Sequence, residues 1–216
     1  MNFFSHYHFD HKPGNHWYNA GLLFPDLLRN FTIKQRITSW SQALKTKDHH
    51  DLKQGIKRHI EADGKFHNWD VFEQKNLMLS HKMRDSGLEI ERDWFLGHIM
   101  VELAIDHILV KKHESELHQL YIDLKACEQD EWKSYFAQGN LTQFDLWMNG
   151  LSKFIEHAYL FSYKNTENVI YALGRIYQKM GLKKFNEEQN QFLVVLLNDF
   201  IPELEFEIPK LSQLLK

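Results

Sequence analysis

Apolar residues recur along this chain at the three- and four-residue spacing of α-helices, and no segment alternates convincingly enough to predict a β-strand. The pattern predicts helices over 33–45, 48–66, 69–84, 92–127, 141–162, 166–180 and 186–200, the last resuming after Pro202. Residues 17–30 form an apolar stretch in which Pro25 would kink a helix or lie in the first turn of one. We expect residues 1–16 to be irregular, because they are rich in aromatic side chains and close on the turn signal Lys12-Pro13-Gly14-Asn15. Seven or eight helices and no strand predict an all-α fold.

The length and composition favour one helical bundle over residues 1–216. A chain of 216 residues can build a sizeable core, and it contains no repeat, low-complexity tract or linker at which to divide it. Its 10 glycines and 4 prolines are few, which suits helices better than strands and their turns. We expect the helices of 113–216 to complete the core.

Charge and cysteine content narrow the class of protein. A net charge of −3 argues against a nucleic-acid-binding role, which usually needs a basic excess. No apolar run is long enough for a membrane span, and residues 1–6 lack the pattern of a secretory signal. The single Cys127 cannot form an internal disulfide, as is typical of a reducing compartment. These observations together predict a cytoplasmic protein.

Polar residues interrupt the most apolar predicted helix on one face. Residues spaced i, i+4 and i+8 drift by only about 40° per step and so form a narrow stripe. Within 94–110 that stripe is His98, Glu102 and Asp106, in a segment that is otherwise hydrophobic nearly all round. Ionisable groups buried there must be paired, protonated or bound to a cation.

A second stripe lies on the helix predicted over 48–66 and just beyond it. It consists of His59, Asp63 and His67, beside the apolar positions Ile56 and Ile60. The neighbouring apolar segments carry further candidates: Asp26, His6 and His8.

Imidazoles and carboxylates from two packed stripes could hold one or two divalent cations. Mixed nitrogen and oxygen ligands suit Mn²⁺, Fe²⁺, Zn²⁺ or Ni²⁺, and a bound cation of this kind supports hydrolysis. The candidate metal ligands are Asp26, His59, Asp63, His98 and Asp106. Glu102 is a candidate ligand or general base, and His67 or His107 could protonate a leaving group.

Structural explanations compete with this interpretation. A single buried histidine is more often a hydrogen-bonded core residue than a ligand, and Glu102 could belong to a buried ion pair with Arg58 or Arg92. His49, His50, His113 and His118 stand among charged residues and are interpreted as solvated. The stripes could also be internal hydrogen-bond networks of a metal-free scaffold or interaction protein. A di-iron redox site is disfavoured, because no pair of inward-facing Glu-x-x-His motifs is present.

Four segments of this sequence resemble the acyl carrier protein phosphodiesterase family. The start Met1-Asn2-Phe3-Phe4-Ser5-His6-Tyr7-His8 is similar to the family's Met-Asn-Phe-Leu-Ala-His-x-His. The other three segments are Asn19-Ala20-Gly21-Leu22-Leu23-Phe24-Pro25-Asp26, Gly55-Ile56-Lys57-Arg58-His59-Ile60-Glu61-Ala62-Asp63 and Glu102-Leu103-Ala104-Ile105-Asp106-His107. The resemblance covers residues 1 to about 112.

The resemblance implies a helical fold like that of the HD-type phosphohydrolases and a divalent metal, typically Mn²⁺. It also implies that the metal site includes Asp26, His59, Asp63, Glu102 and Asp106, with His6 and His8 as its neighbours. The implied reaction is hydrolytic release of 4′-phosphopantetheine from holo-acyl carrier protein, which would then be the partner. Two departures concern the substrate: Ile60 replaces an arginine of the family, and Gly64-Lys65-Phe66-His67 replaces a Thr-Asp-x-x-Pro segment. Lys53, Lys57, Arg58 and Lys65 could supply a basic face for an acidic carrier protein, but an ordinary solvated helix face is the more economical explanation of these residues.

Overall fold

The computed structural model describes residues 1–37 and 48–216, and these residues form helices and no β-strand. The predicted all-α class is therefore confirmed. The α-helices are α1 (Phe3–Asp10), α2 (His16–Phe31), α3 (His50–His67), α4 (Asp70–Asp85), α5 (Asp93–Lys112), α6 (Glu114–Ala126), α7 (Gln129–Gln138), α8 (Phe144–His157), α9 (Thr166–Lys179), α10 (Glu187–Glu205) and α11 (Ile208–Leu215). A 3₁₀-helix, Tyr159–Lys164, follows α8.

The helix predicted over 33–45 lies mostly outside the described residues, and its described part, 33–37, is not helical. Within the described ranges, no helix combines the length and apolarity needed to cross a bilayer.

The prediction that residues 1–16 are irregular is wrong. Residues 3–10 form α1, and Phe3, Phe4 and Tyr7 are buried on it. The predicted turn at Lys12-Pro13-Gly14-Asn15 is present. Asn15, its last residue, caps the start of α2 by accepting a hydrogen bond from the backbone N–H of Tyr18. Burial of aromatic side chains supplies the stability that so short a helix lacks by itself.

Two long predicted helices are divided in the structure. The segment 92–127 breaks at His113, whose φ of −127° and ψ of 47° are not helical, and it forms α5 and α6. The segment 141–162 becomes α8 and the 3₁₀-helix, separated by Ala158 at a φ of 43°. In the opposite sense, α10 continues through Pro202 without a break.

The chain divides into two compact units, each assembled from two stretches of sequence. Unit 1 contains residues 1–64 and 113–160, and unit 2 contains residues 65–112 and 161–216. The boundary at 64/65 falls within α3, so the stripe of His59, Asp63 and His67 supplies residues to both units. The expectation of a single domain stays a prediction.

In unit 1, α2 contacts α1, α6 and α8. An aromatic core fills this unit: Phe24 stacks on Trp132 at 5.4 Å between ring centroids, and Trp132 lies 4.5 Å from Trp147. The backbones of α2 and α3 approach closely at Gly21 and Gly55, where an added Cβ on either residue would lie within 2.3 Å of a carbonyl oxygen on the other helix. This close approach sets the positions of the polar residues that follow on both helices.

In unit 2, α5 is the central helix and contacts α4, α9 and α10. Its residues are buried from Met100 to Val110, which agrees with a segment that is hydrophobic nearly all round. The charged end at Lys111 and Lys112 is exposed.

Candidate metal-binding clusters

The first cluster lies in unit 1 and consists of His6 on α1, Asp26 on α2 and His59 on α3. Their ligand atoms all lie within 4.8 Å of one another. The rings of His6 and His59 stack with 3.8 Å between centroids, and the two residues are 0% and 6% exposed. Nδ1 of His59 donates a hydrogen bond to the backbone carbonyl oxygen of Leu22 at 2.8 Å, which leaves Nε2 as its ligand atom.

Asp26 is a largely buried carboxylate in this cluster. Burial raises its pKa, while the imidazole of His59 and the guanidinium of Arg29 oppose that rise. Arg29 lies 3.4 Å from Oδ1 of Asp26, but its own side chain is 59% exposed and therefore screened by water. A carboxylate in this setting gains from a cation that replaces its lost hydration.

Asp63, predicted as a metal ligand, makes a different interaction. Its Oδ1 atom accepts a hydrogen bond from the amino group of Met1 at 2.8 Å, and Nε2 of His6 lies 3.8 Å away. The amino group is a partner that the helical spacing of His59, Asp63 and His67 does not reveal.

The second cluster lies in unit 2 and consists of His67 at the end of α3 with His98 and Glu102 on α5. Nε2 of His98 and Nε2 of His67 both face Oε1 of Glu102, at 3.2 and 3.7 Å. The two imidazole rings stack with 4.9 Å between centroids, and Phe72 packs edge-on against both. The side chains of His67, His98 and Glu102 are 32%, 22% and 11% exposed, so this cluster is open to solvent where the first is closed.

The electrostatics of Glu102 differ from those of Asp26. Burial alone would raise its pKa, but the pKa lies below its ordinary value, and the hydrogen bond from His98 and the charge of His67 are among the causes. Glu102 therefore stays ionised beside the two imidazoles at neutral pH. Arg58, one of the alternative partners considered for it, instead donates to Asp10 at 2.7 Å.

Asp106 and His107 are buried on α5, and neither belongs to these two clusters. Nδ1 of His107 donates to the backbone carbonyl oxygen of Tyr163 at 2.6 Å, and the pKa of His107 is lowered chiefly by burial. His107 lines an open cavity of about 310 Å³ together with Lys111, Lys164 and the N-terminus of α9. The structure therefore groups His107 with this cavity and not with His67, its alternative as a proton donor.

His8, expected as a neighbour of the metal site, lies in a third cluster. This cluster joins it to His113 and Glu116 at the start of α6. The sequence interpretation of His113 as solvated missed it, although the spacing of His113 and Glu116 was a usable signal, since residues three apart share a helix face. His49 was also misinterpreted as solvated: its side chain is 5% exposed, and its ring contacts Glu131 and Ser134.

The basic residues of α3 that could have formed a docking face are largely engaged in local contacts. Lys57 pairs with Glu61, Arg58 pairs with Asp10, and Lys65 donates to the backbone carbonyl oxygen of Leu215. These contacts favour the interpretation of an ordinary helix face over a docking surface for an acidic protein.

Comparison of this chain with protein-family models, with curated proteins and with solved structures gives no match.

Proposed function

We propose that this chain is a divalent-metal-dependent hydrolase that cleaves a phosphodiester. The observation that carries the proposal is the second cluster, where two imidazole nitrogens converge on one oxygen of Glu102 at a partly exposed position. Nitrogen and carboxylate ligands of this kind suit Mn²⁺, Fe²⁺ and Zn²⁺.

The side chains present fit a cation by their chemistry. In the first cluster, His59 donates through Nδ1 to a backbone carbonyl oxygen, which is the arrangement that orients metal-ligating histidines in proteins. The same cluster contains a buried carboxylate, Asp26, whose charge a cation would compensate. His6, Asp26 and His59 would hold one cation, and His98 and Glu102 would hold the catalytic one.

A divalent cation supplies positive charge to the phosphoryl oxygens and lowers the pKa of water. The protein's own contribution is the placement of proton-transfer groups. Glu102 has a lowered pKa, so it is a weak base, and we assign it to fixing the imidazoles and binding the cation. His67 is the most exposed member of the cluster, and we assign it to proton transfer with the leaving group.

The substrate follows from the family resemblance. Holo-acyl carrier protein is the first macromolecular substrate to test, with loss of 4′-phosphopantetheine read by mass spectrometry. Because the basic residues of α3 are engaged locally, bis(4-nitrophenyl) phosphate should be tested in parallel as a diester that needs no docking face.

The test combines metal analysis with activity. We expect His98→Asn to lose one equivalent of bound metal together with the activity, and His67→Asn to keep the full metal content while its rate falls by about 10²–10⁴. His81→Asn is a matched control, because His81 is exposed on α4 and should retain both properties.

Two outcomes would overturn the proposal. One is a purified and metal-reconstituted protein that binds no divalent cation, which would favour a metal-free scaffold. The other is a folded His98→Asn variant with full activity on every diester that the wild type hydrolyses.

A further inference from the structure

The third cluster joins two helices of unit 1 through side chains outside the proposed catalytic chemistry. His8 lies in the last turn of α1, His113 is the residue that precedes α6, and Glu116 lies in the first turn of α6. Nδ1 of His8 is 2.8 Å from Oε2 of Glu116, and Nδ1 of His113 is 3.2 Å from Oε1 of the same carboxylate. The two imidazole rings lie 4.2 Å apart between centroids.

We propose that His8, His113 and Glu116 form a separate binding site for one Zn²⁺ or chemically similar transition-metal ion, which links α1 to α6. This site uses no residue of the proposed hydrolase chemistry and does not depend on it.

The distances place the three ligand groups within reach of one cation. Zinc–nitrogen and zinc–oxygen bonds of about 2.0–2.2 Å place two ligand atoms roughly 3–3.5 Å apart at the angles of ordinary coordination. Each imidazole nitrogen lies 2.8 or 3.2 Å from an oxygen of Glu116, and the three ligand atoms all lie within 4.8 Å of one another, so side-chain rotation is needed to bring all three onto one ion. The two nitrogens approach different oxygens of the carboxylate, so Glu116 can bind through either one.

The ligand side chains are held by neighbouring groups but remain partly exposed to solvent. The side chains of His8, Glu116 and His113 are 16%, 30% and 36% exposed, which leaves an entry path for an ion and room for water to complete the coordination. Phe4 and Phe9 pack against the ring of His8. Burial also favours the neutral form of His8, which is the form that binds metals.

The chemistry of the ligands selects the class of ion. Two imidazoles and one carboxylate suit Zn²⁺, Ni²⁺ or Co²⁺, whereas Mg²⁺ and Ca²⁺ prefer oxygen ligands alone. Three protein ligands leave at least one position for water, as in open zinc sites.

The rival explanation is a metal-free network of hydrogen bonds in which both imidazoles donate to Glu116. Zinc binding decides between the two, because the network gains nothing from added metal. The experiment must also separate this site from the other two clusters.

Zinc stoichiometry should be measured on the full chain by elemental analysis after gel filtration, for the wild type and three single variants. We expect His113→Asn to bind one equivalent less than the wild type, and His118→Asn, a change at an exposed position on the same helix, to bind as much as the wild type. Glu116→Gln should weaken binding, since it keeps the shape but removes the charge. An unchanged zinc content in a folded His113→Asn variant would overturn the proposal.

A second measurement uses thermal stability in a background that lacks the other clusters. In the double variant His59→Asn/His98→Asn, zinc should still raise the melting temperature, and a chelator should reverse the rise. Adding His113→Asn should abolish it, while Mg²⁺ should have no effect in either protein. If this background misfolds, Co²⁺ absorption of the wild type and His113→Asn serves instead, with loss of one spectral component expected. No zinc effect in a folded background, or an unchanged cobalt spectrum, would show that the cluster is only a hydrogen-bond network.

Discussion

Nδ1 of His59 donates a 2.8 Å hydrogen bond to the backbone carbonyl oxygen of Leu22, which joins α3 to α2 inside unit 1. The bond fixes the ring so that its other nitrogen belongs to the cluster with His6 and Asp26. Neither the helical spacing around His59 nor the apolar run around Leu22 contains this contact.

Replacing His59 by phenylalanine should destabilise the protein by about 1–3 kcal/mol, because the buried hydrogen bond from Nδ1 to the carbonyl oxygen of Leu22 is lost. The free energy of unfolding from urea titration measures this loss. His81→Phe on the surface of α4 is the control and should change stability by less than about 0.5 kcal/mol. Equal effects of the two substitutions would contradict a structural role for the His59 bond.

Asp26→Asn should change stability in opposite directions with and without metal. The raised pKa means that the ionised carboxylate is disfavoured in the fold, so its cost appears as the pH rises through that pKa. In chelator-treated protein, Asp26→Asn should therefore be the more stable form at high pH, and the difference should shrink as the pH falls. With saturating metal the wild type should be the more stable, because the cation needs the charge. Denaturant unfolding at several pH values, with and without chelator, checks both signs.

Glu102→Gln should show the reverse pH dependence. Its pKa is lowered from the ordinary value of 4.5, so the ionised form contributes stability above that pH and loses it as the pH falls toward the lower, folded-state pKa. The wild type should exceed Glu102→Gln in stability at neutral pH in chelator-treated protein, and the gap should narrow in acid. A gap that widens below pH 4.5 would contradict the lowered pKa of Glu102.

Alanine substitutions at two glycines of α3 should change the stability of the protein in opposite directions. A Cβ on Gly55 would lie 2.1 Å from the carbonyl oxygen of Tyr18, so Gly55→Ala forces the helices apart and should cost about 1–3 kcal/mol or more. Nothing lies within 4 Å of a Cβ on Gly64, and Gly64→Ala should stabilise the helix by about 1 kcal/mol. Thermal unfolding of the pair gives the comparison. The metal content of Gly55→Ala should also fall, because the same crossing positions Asp26 and His59.

Tyr7→Phe should destabilise unit 1 by about 1–3 kcal/mol, because a buried carboxylate loses one of its hydrogen-bond donors. The Tyr7 hydroxyl donates to Oδ2 of Asp123 at 2.8 Å, and Asn19 donates to the same oxygen at 2.6 Å. Removing the hydroxyl leaves Asp123 with one buried donor fewer while the ring still packs. Tyr171→Phe, at an exposed position of α9, is the control, and chemical denaturation of both variants tests the difference.

The all-α class of the fold could be predicted from the sequence, because helical periodicity and capping are local properties. The burial of α5 followed from apolar residues on most of its sides, and the start of α2 followed from Asn15. Helix α1 was missed because its stability comes from partners far along the chain: Tyr7 bonds to Asp123, which lies 116 positions later. The break at His113 was missed for a local reason. The charged residues around His113 favour a helix as much as a turn.

The candidate site was likewise predictable from the sequence only in part. Sequence spacing alone selected His59, His98 and Glu102, because ionisable residues at helical intervals in apolar segments are costly unless they have partners. Helix packing decided which residues became partners. His67 faces Glu102, Asp26 lies close to His59, and His8 pairs with Glu116. Periodicity fixes which side of a helix a residue occupies, whereas the neighbour on that side depends on how closely helices cross, as at Gly21 and Gly55.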